Sequence, residues 1–510
     1  MQSFVAKHAE QITGVLSCFD RLIFKGYLPC SYAKGMEAFL AQRGILLKDF
    51  RDFARKHSED IKKHAHALAD QAGRPFISLP KRIRKEDRAR QLIRQDRLTQ
   101  GLVCVFSVQE TCSSFKIAYG QGRPRLCKSY PRCLVLYFYY LDPVYGLLHI
   151  RVPTWFPFTL QVYLNGHEWL AHQLDQRGIG YRQRDNAFLA VDDLSTAQQL
   201  ADQFPKQHWQ RFLDALAKRV NPFLKTILRG ASYYWVTDQA EYATDVLFKD
   251  RDRLRSLYQR LLRHATLAFS AEDILSFLGK KLLPTFEGDV TTDCKKRPQG
   301  FRVKHHYDGN WLKMYDKFGQ VLRIEMVINR PRRFRVFRWG TRKGQRCRAW
   351  FPLTKCVAYL GRYAEVSRQA THRYLDALAV IEDPRASERV LERACNPVPY
   401  KGRRKRALNP LSREEQRLFT AVLRGEHHQR GFYSRDVAKY LNLRSTTDPQ
   451  EQRRQSGRLG RLLQLLRAHG LIQKIQHTRR YRVTAKGFAF MSAALHLRHQ
   501  AFPDDMSIAS

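Results

Sequence analysis

Residues 310–326, NWLKMYDKFGQVLRIEM, leave the chain few conformational choices. Side chains alternate between the two faces of a strand, so Trp311, Lys313 and Tyr315 share one face and Leu312 and Met314 the other. Lys317, Phe318 and Gly319 can turn the chain, and Val321 to Ile328 then returns antiparallel. On the return, Leu322, Ile324, Met326 and Ile328 form one face, and Arg323, Glu325 and Val327 the other. The spacing predicts a hairpin whose polar face carries Tyr315 and Glu325 together. Lys313, Lys317 and Arg323 beside a phenol favour its deprotonation, and a carboxylate there can hold a divalent cation that polarises a phosphate. The plainer reading of the same spacing is an amphipathic hairpin with Tyr315 as a packing residue.

The run LKMYDK followed by LRIE resembles the signature of rolling-circle replication initiators of plasmids and filamentous phages. In that family a tyrosine cuts one DNA strand and becomes linked to its 5′ phosphate, while carboxylates bind the metal. The resemblance implies Tyr315 as nucleophile, with Lys317 of the same motif in the catalytic group, and Glu325 as a metal ligand. Ala243 to Phe248, ATDVLF, is similar to the strand whose late aspartate supplies another ligand, here Asp245. The implied cofactor is Mg²⁺ or Mn²⁺, from the preference of these ions for oxygen ligands. The likeness spans residues 233–328 and rests on short motifs.

Charge independently narrows the class of partner. Lys and Arg number 90 against 47 Asp and Glu, a formal net charge of +43. So much self-repulsion is offset most simply by a polyanion, with nucleic acid ahead of an anionic membrane. No apolar run is long enough to span a bilayer and no signal-peptide core follows Met1, which points to the cytoplasm and to no membrane partner. The ten cysteines are scattered without a Cys-x-x-Cys, so neither a zinc ribbon nor a disulfide framework fits.

At 510 residues the chain should divide into several domains. Residues 1–100 read as a helical N-terminal region. His64 and His66 there form a His-x-His pair, but helical neighbours two apart point to different faces, which argues against joint metal binding. From Leu102 the character changes to sheet: Cys133 to Tyr140 reads as a strand, Leu147 to Val152 as its partner and Gln161 to Leu164 as a third. Residues 101–340 are expected to form an antiparallel-sheet α+β domain carrying the catalytic groups. HEWLAH, within the helix expected after Gly166, is not a zinc-protease motif, because His167 and His172 lie five apart, about 140° around a helix.

Residues 233–248 admit two readings. As a strand they place Asp238 on the face opposite Glu241 and Asp245; as a helix they cluster all three acids, adding Asp238 to the candidate metal ligands. Further on, His305 and His306 occupy adjacent strand positions, so at most one can face the hairpin's polar side. Arg330 to Arg348 is basic with interleaved Phe334, Phe337 and Trp339, a composition suited to gripping phosphate and stacking. Residues 341–395 read as a helical extension and 396–410 as a basic linker.

Residues 411–495 are the most clearly organised. Ser412 with Glu415 opens a helix from Leu411 to Leu423 by a capping box; further helices follow at Ser434 to Leu441 and Ser456 to His469. A hairpin from Leu471 to Thr484 precedes another helix, and residues 496–510 form a tail. The AHGLIQKI and RRYRVTAKG phrases resemble those of bacterial winged helix-turn-helix domains. That resemblance implies that the third helix enters a major groove through Arg453, Arg454, Arg458 and Arg461, and that Arg479, Arg480 and Arg482 on the wing meet the backbone. The fold expected overall is α+β: a helical N-terminus, a central antiparallel sheet and a C-terminal winged helix. The functional expectation is a metal-dependent, tyrosine-based DNA strand-nicking enzyme of replication-initiator or transposase type. It would engage duplex DNA through the winged helix and single strands at the centre. The alternative is a non-enzymatic DNA-binding regulator.

Overall fold

The computed structural model describes the chain except residues 81–82, 120–122, 281–287, 298–299, 343, 380–394, 401, 411, 425–426, 428–430, 442, 444–447, 477 and 502–510. Among the described residues, helices and a large sheet mix in one α+β architecture. The sheet is built from β1 (Ile12–Tyr27), β2 (Phe76–Ser78), β3 (Gly101–Thr111), β6 (Arg132–Asp142), β7 (Gly146–Pro153), β8 (Leu160–Asn165), β11 (Tyr234–Phe248), β12 (Val290–Arg297), β13 (Gly300–Tyr307), β14 (Asn310–Lys317) and β15 (Val321–Ile328). Their spatial order is β12-β13-β14-β15-β11-β1-β8-β7-β6-β3-β2. All pair antiparallel except β2 with β3. Among the strand pairs outside it are β4 (Ser114–Ala118) with β5 (Arg125–Ser129), β9 (Tyr181–Arg184) with β10 (Ala187–Val191), and β16 (Arg335–Arg342) with β17 (Gln345–Pro352).

The hairpin at residues 310–328 forms in the expected register, with Tyr315 opposite Arg323 and Lys313 opposite Glu325. Its loop needs left-handed backbone at Phe318 and Gly319, with φ of 58° and 73°. Glycine adopts that conformation without a Cβ penalty. Phe318 is held there with the Arg184 guanidinium 4.4 Å from its ring centre, while the Asp316 carboxylate accepts the Gly319 N–H at 2.9 Å.

The N-terminal region differs from its expected helical character. Helices α2 (Ala33–Ala41), α3 (Phe50–Gln71) and α4 (Lys85–Gln95) are present, and α1 (Gln2–Lys7) precedes them. Yet residues 12–27 form a strand near the middle of the sheet, so residue 100 bounds no separate unit. The buried side chains Phe19, Leu22 and Phe24 explain the misreading. Their spacing of three, then two, records a register shift between Phe19 and Leu22 that breaks strict alternation.

One face of the sheet is covered by an apolar core drawing on α1–α3 and on α5 (Gly166–Asp175), α6 (Leu194–Ala201), α7 (Trp209–Val220), α8 (Arg251–Leu267), α9 (Ala271–Phe277) and α10 (Leu360–Leu378). On the other face Ala89 and Leu92 of α4 join a smaller cluster with Phe106 and Tyr139. Cys112 and Cys133, at the ends of β3 and β6, are joined as a disulfide; the pair is a single bridge, outside the cysteine reading from spacing.

The C-terminal segment has its own core, including Leu418, Phe419, Val437, Leu463, Leu466 and Phe490. It comprises α11 (Arg413–Val422), α12 (Ser434–Tyr440), α13 (Pro449–Ala468), the hairpin β20 (Ile472–Lys474) with β21 (Tyr481–Val483), and α14 (Ala485–Ala501). A bridge from Phe432 to Tyr481 ties the segment before α12 to this hairpin. Helix α13 starts earlier than expected because the Asp448 carboxylate caps it, accepting the Gln450 N–H at 3.0 Å. The expected linker contains the short strands β18 (Val398–Tyr400) and β19 (Arg403–Lys405), paired with each other.

Candidate functional site

Residues directly opposite one another in a ladder share a face. On β11, Asp245 lies opposite Arg323 and Ala243 opposite Glu325; Glu241 follows on the same side. Across β14 and β15, Arg323 meets Tyr315 and Glu325 meets Lys313. On β1 the register shift between Phe19 and Leu22 falls at Asp20 and Arg21, and Asp20 enters this face beside Glu241. Three adjacent strands thus deliver Asp20, Glu241 and Glu325 to one point, where an oxygen from each lies within 4.8 Å of the others. All three are buried. This donor set of three carboxylates suits a hard cation, and the trio can hold a metal ion.

Two basic groups organise the acids. Arg323 is fully buried and donates to both Asp245 oxygens at 2.7 Å, to Asp20 at 3.3 Å and to the Asn186 carbonyl at 2.6 Å. It also lies 3.0 Å from His167 Nε2, while His167 Nδ1 stands 3.4 Å from Asp20. His167 is in the first turn of α5, whose Asn165 cap accepts its backbone N–H at 2.8 Å. Asn186, in the turn between β9 and β10, donates to both Asp20 oxygens at 3.0 and 2.8 Å and accepts from Lys317 at 2.8 Å. Burial alone would raise Asp20, but the hydrogen bonding and charge of His167, followed by the Arg323 and Lys317 charges, hold it below the usual carboxylate range.

Lys313 bonds Glu325 directly and stands 3.6 Å from Glu241. Glu241 itself accepts from Gln239 at 2.9 Å. Burial, then the Glu325 charge, pushes the Glu241 carboxyl up to about 8. Among the described residues, this is the member of the trio whose negative charge is least balanced, the electrostatic state that a bound cation would relieve.

The folded state holds a proton on Glu241 that the unfolded chain, near 4.5, releases. That contribution is fully present below the unfolded value and is lost as pH rises through about 8. Thermal melts of metal-free protein should therefore lose on the order of a few kcal/mol of stability across that window. Glu241→Gln should flatten the loss, and Mn²⁺ should raise Tm more at pH 8 than at pH 6. Parallel pH profiles for wild type and variant would refute this assignment.

The hairpin residues expected at the site lie around this centre. Tyr315 is half-buried, with the Lys313 and Lys317 ammonium groups 5.9 and 5.7 Å from its ring centre. The expected ease of deprotonation is reversed: burial, followed by the Glu325 charge, raises the phenol above its ordinary value. Asp245 is nearby, but both its oxygens are engaged by Arg323. Asp238 is not brought to the cluster, because residues 234–248 form a strand and Asp238 pairs with Lys355 at 2.9 Å. His306 shares the Trp311 side of β13 and β14, while His305 is buried against Tyr374 and Thr292. His64 and His66 diverge as expected, one meeting the Arg219 carbonyl and the other stacking on Phe76.

Asp20 and Asn186 had no place in the sequence-based site. The available signal was a lone acid within residues 12–27, a run otherwise rich in apolar and β-branched side chains. His167 was visible only within the rejected protease pattern.

In the C-terminal segment, Arg453, Arg454 and Arg461 are exposed along α13. Arg458 is also exposed but donates to Glu414 of α11 at 2.8 and 3.1 Å, so its guanidinium is committed within the segment. Arg479 and Arg482 are exposed on the hairpin, and Arg480 lies 4.9 Å from the Tyr433 ring centre. No helix among the described residues is long and apolar enough to cross a membrane. No known family, characterised protein or solved structure matches this chain.

Proposed function

We propose that the protein is a DNA-binding enzyme that cuts one strand through Tyr315, assisted by a metal ion at Asp20, Glu241 and Glu325. The observation that carries this reading is the placement of Tyr315 on the same sheet face as that carboxylate trio, in a chain of net charge +43. A Mg²⁺ or Mn²⁺ held by the trio would supply charge neutralisation at a phosphate. Arg323, Asn186 and His167 fix Asp20, and Lys313 fixes Glu325, so the ligands are oriented before substrate arrives. Lys304, opposite Lys313, and Arg302, opposite Tyr315, add positive charge to the face a phosphodiester would approach.

In the cut, the Tyr315 oxygen forms a bond to phosphorus and the bond to the 3′ oxygen breaks. The products are a 5′ phosphotyrosine and a free 3′ hydroxyl, and exchanging one phosphodiester for another needs no ATP. Burial holds the phenol's proton more tightly than usual, so that proton must leave as attack proceeds, and the departing 3′ oxygen takes up a proton to become the hydroxyl. The C-terminal segment, with its exposed Arg453, Arg454 and Arg461, supports duplex docking of winged-helix type.

A second reading, a non-enzymatic DNA-binding regulator, is favoured by the direct Lys313–Glu325 pairing, which is also what a purely structural ion network would show. Denaturing electrophoresis of labelled single-stranded oligonucleotides with Mn²⁺ separates the two. Wild type should give a covalent adduct and Tyr315→Phe should retain DNA binding without one. An adduct with Tyr315→Phe removes Tyr315 as nucleophile; binding without cleavage over a broad substrate panel favours the regulator.

A further inference from the structure

The β16–β17 hairpin has two unlike sides. The pairs Arg335–Pro352, Phe337–Trp350, Trp339–Arg348 and Thr341–Arg346 share one face, and the alternate residues share the other. The second face is anchored: Val336 is buried, and Arg338 lies 5.1 Å from the ring centres of both Phe351 and Tyr359 while donating to the Trp339 and Pro352 carbonyls. The first face is open, with Phe337 42%, Trp339 57% and Trp350 51% exposed. Arg348 stands 5.4 Å from the Phe337 ring centre and Arg346 5.6 Å from that of Trp339. Phe337 and Trp350 meet edge-on at 5.9 Å.

From this geometry we infer that the open hairpin face binds single-stranded nucleic acid, its aromatic rings stacking on bases and its arginines meeting phosphates. Three observations select this occupant. Exposed aromatic rings on a rigid, anchored ribbon offer flat stacking surfaces that tolerate any base. Arginines are interleaved among the rings, where they can meet the phosphates flanking each stacked base, in a chain of net charge +43. Base faces are available for such stacking only where they are unpaired, which separates this surface from a duplex-binding one. The surface is distinct from both the carboxylate centre and the C-terminal segment, and the inference stands whether or not Tyr315 cuts DNA.

The test uses the full chain carrying Tyr315→Phe, so that failure of the cutting reading cannot affect it. Fluorescence anisotropy would follow labelled oligothymidylate, oligouridylate and a duplex of equal length, with tryptophan quenching as a second readout. Trp339→Ala with Trp350→Ala should weaken single-strand binding about tenfold or more, as expected for lost base stacking. Duplex binding should change less than about twofold, since the surface reads unpaired bases. Trp339→Phe, which keeps a ring, should retain most of the affinity and guards against a folding defect. Similar losses for oligothymidylate and oligouridylate would define a general single-strand surface; loss for one alone would assign it to DNA or to RNA. Unchanged single-strand binding, equal loss on the duplex, or dependence on Arg346 and Arg348 without dependence on the rings would overturn the inference.

Discussion

Replacing Arg323 with methionine is expected to destabilise the chain by about 3–5 kcal/mol, the usual cost of removing one partner from a buried ion pair. Arg323 is fully buried, and its loss strands Asp245 and Asp20 in the interior without their shared cation. Arg323→Lys should recover only part, because an ammonium cannot reproduce the paired donation to Asp245. Asp245→Asn added to Arg323→Met should restore some stability by removing one uncompensated charge. Chemical denaturation of the four proteins checks these relations. A loss below about 1 kcal/mol for Arg323→Met, the range of an exposed pair, would mean that the network does not anchor the sheet.

Glu325→Gln should reduce covalent adduct formation by on the order of 10³-fold, corresponding to several kcal/mol of lost transition-state stabilisation. The amide keeps the volume but removes the charge that binds a cation and holds Lys313. Its signature should differ from that of Tyr315→Phe: Glu325→Gln loses the Mn²⁺-induced rise in Tm together with the adduct, whereas Tyr315→Phe retains the rise. Melts with and without Mn²⁺, run beside the adduct gel, make the comparison. Adduct formation by Glu325→Gln at the wild-type rate would remove the carboxylate trio from the chemistry.

Sequence legibility followed how locally each element is specified. The 310–328 hairpin was readable because both strands, their turn and their alternation lie within a few residues of one another. The C-terminal helices were readable from Ser412 and their apolar spacing, although Asp448 moved the third helix start. Strand β1 was not readable: its alternation is interrupted at Asp20 and Arg21, and the two strands it pairs with begin only at Leu160 and Tyr234. The candidate site inherits that limit. Glu325 and its neighbour Tyr315 come from the local hairpin, but Asp20 reaches Glu241 only through long-range pairing. Asp238 and Asp245 show the converse, since acids close in sequence were separated by strand geometry and by Lys355 and Arg323. The phenol's upward shift was likewise hidden, because sequence displays neighbouring charges but not burial.

The pairing of β1 with β11 sets an order on assembly. During synthesis the residues of β1 emerge well before those of β11, the strand that lies between β1 and β15 and is complete only at Phe248. Closing so long a loop is entropically slow, and until it closes β1 presents an unpaired strand edge open to wrong partners. The carboxylate trio is completed later still, when Glu325 arrives on β15. A nascent chain ending before that strand cannot contain the centre, so the three carboxylates come together only after most of the sheet has been translated.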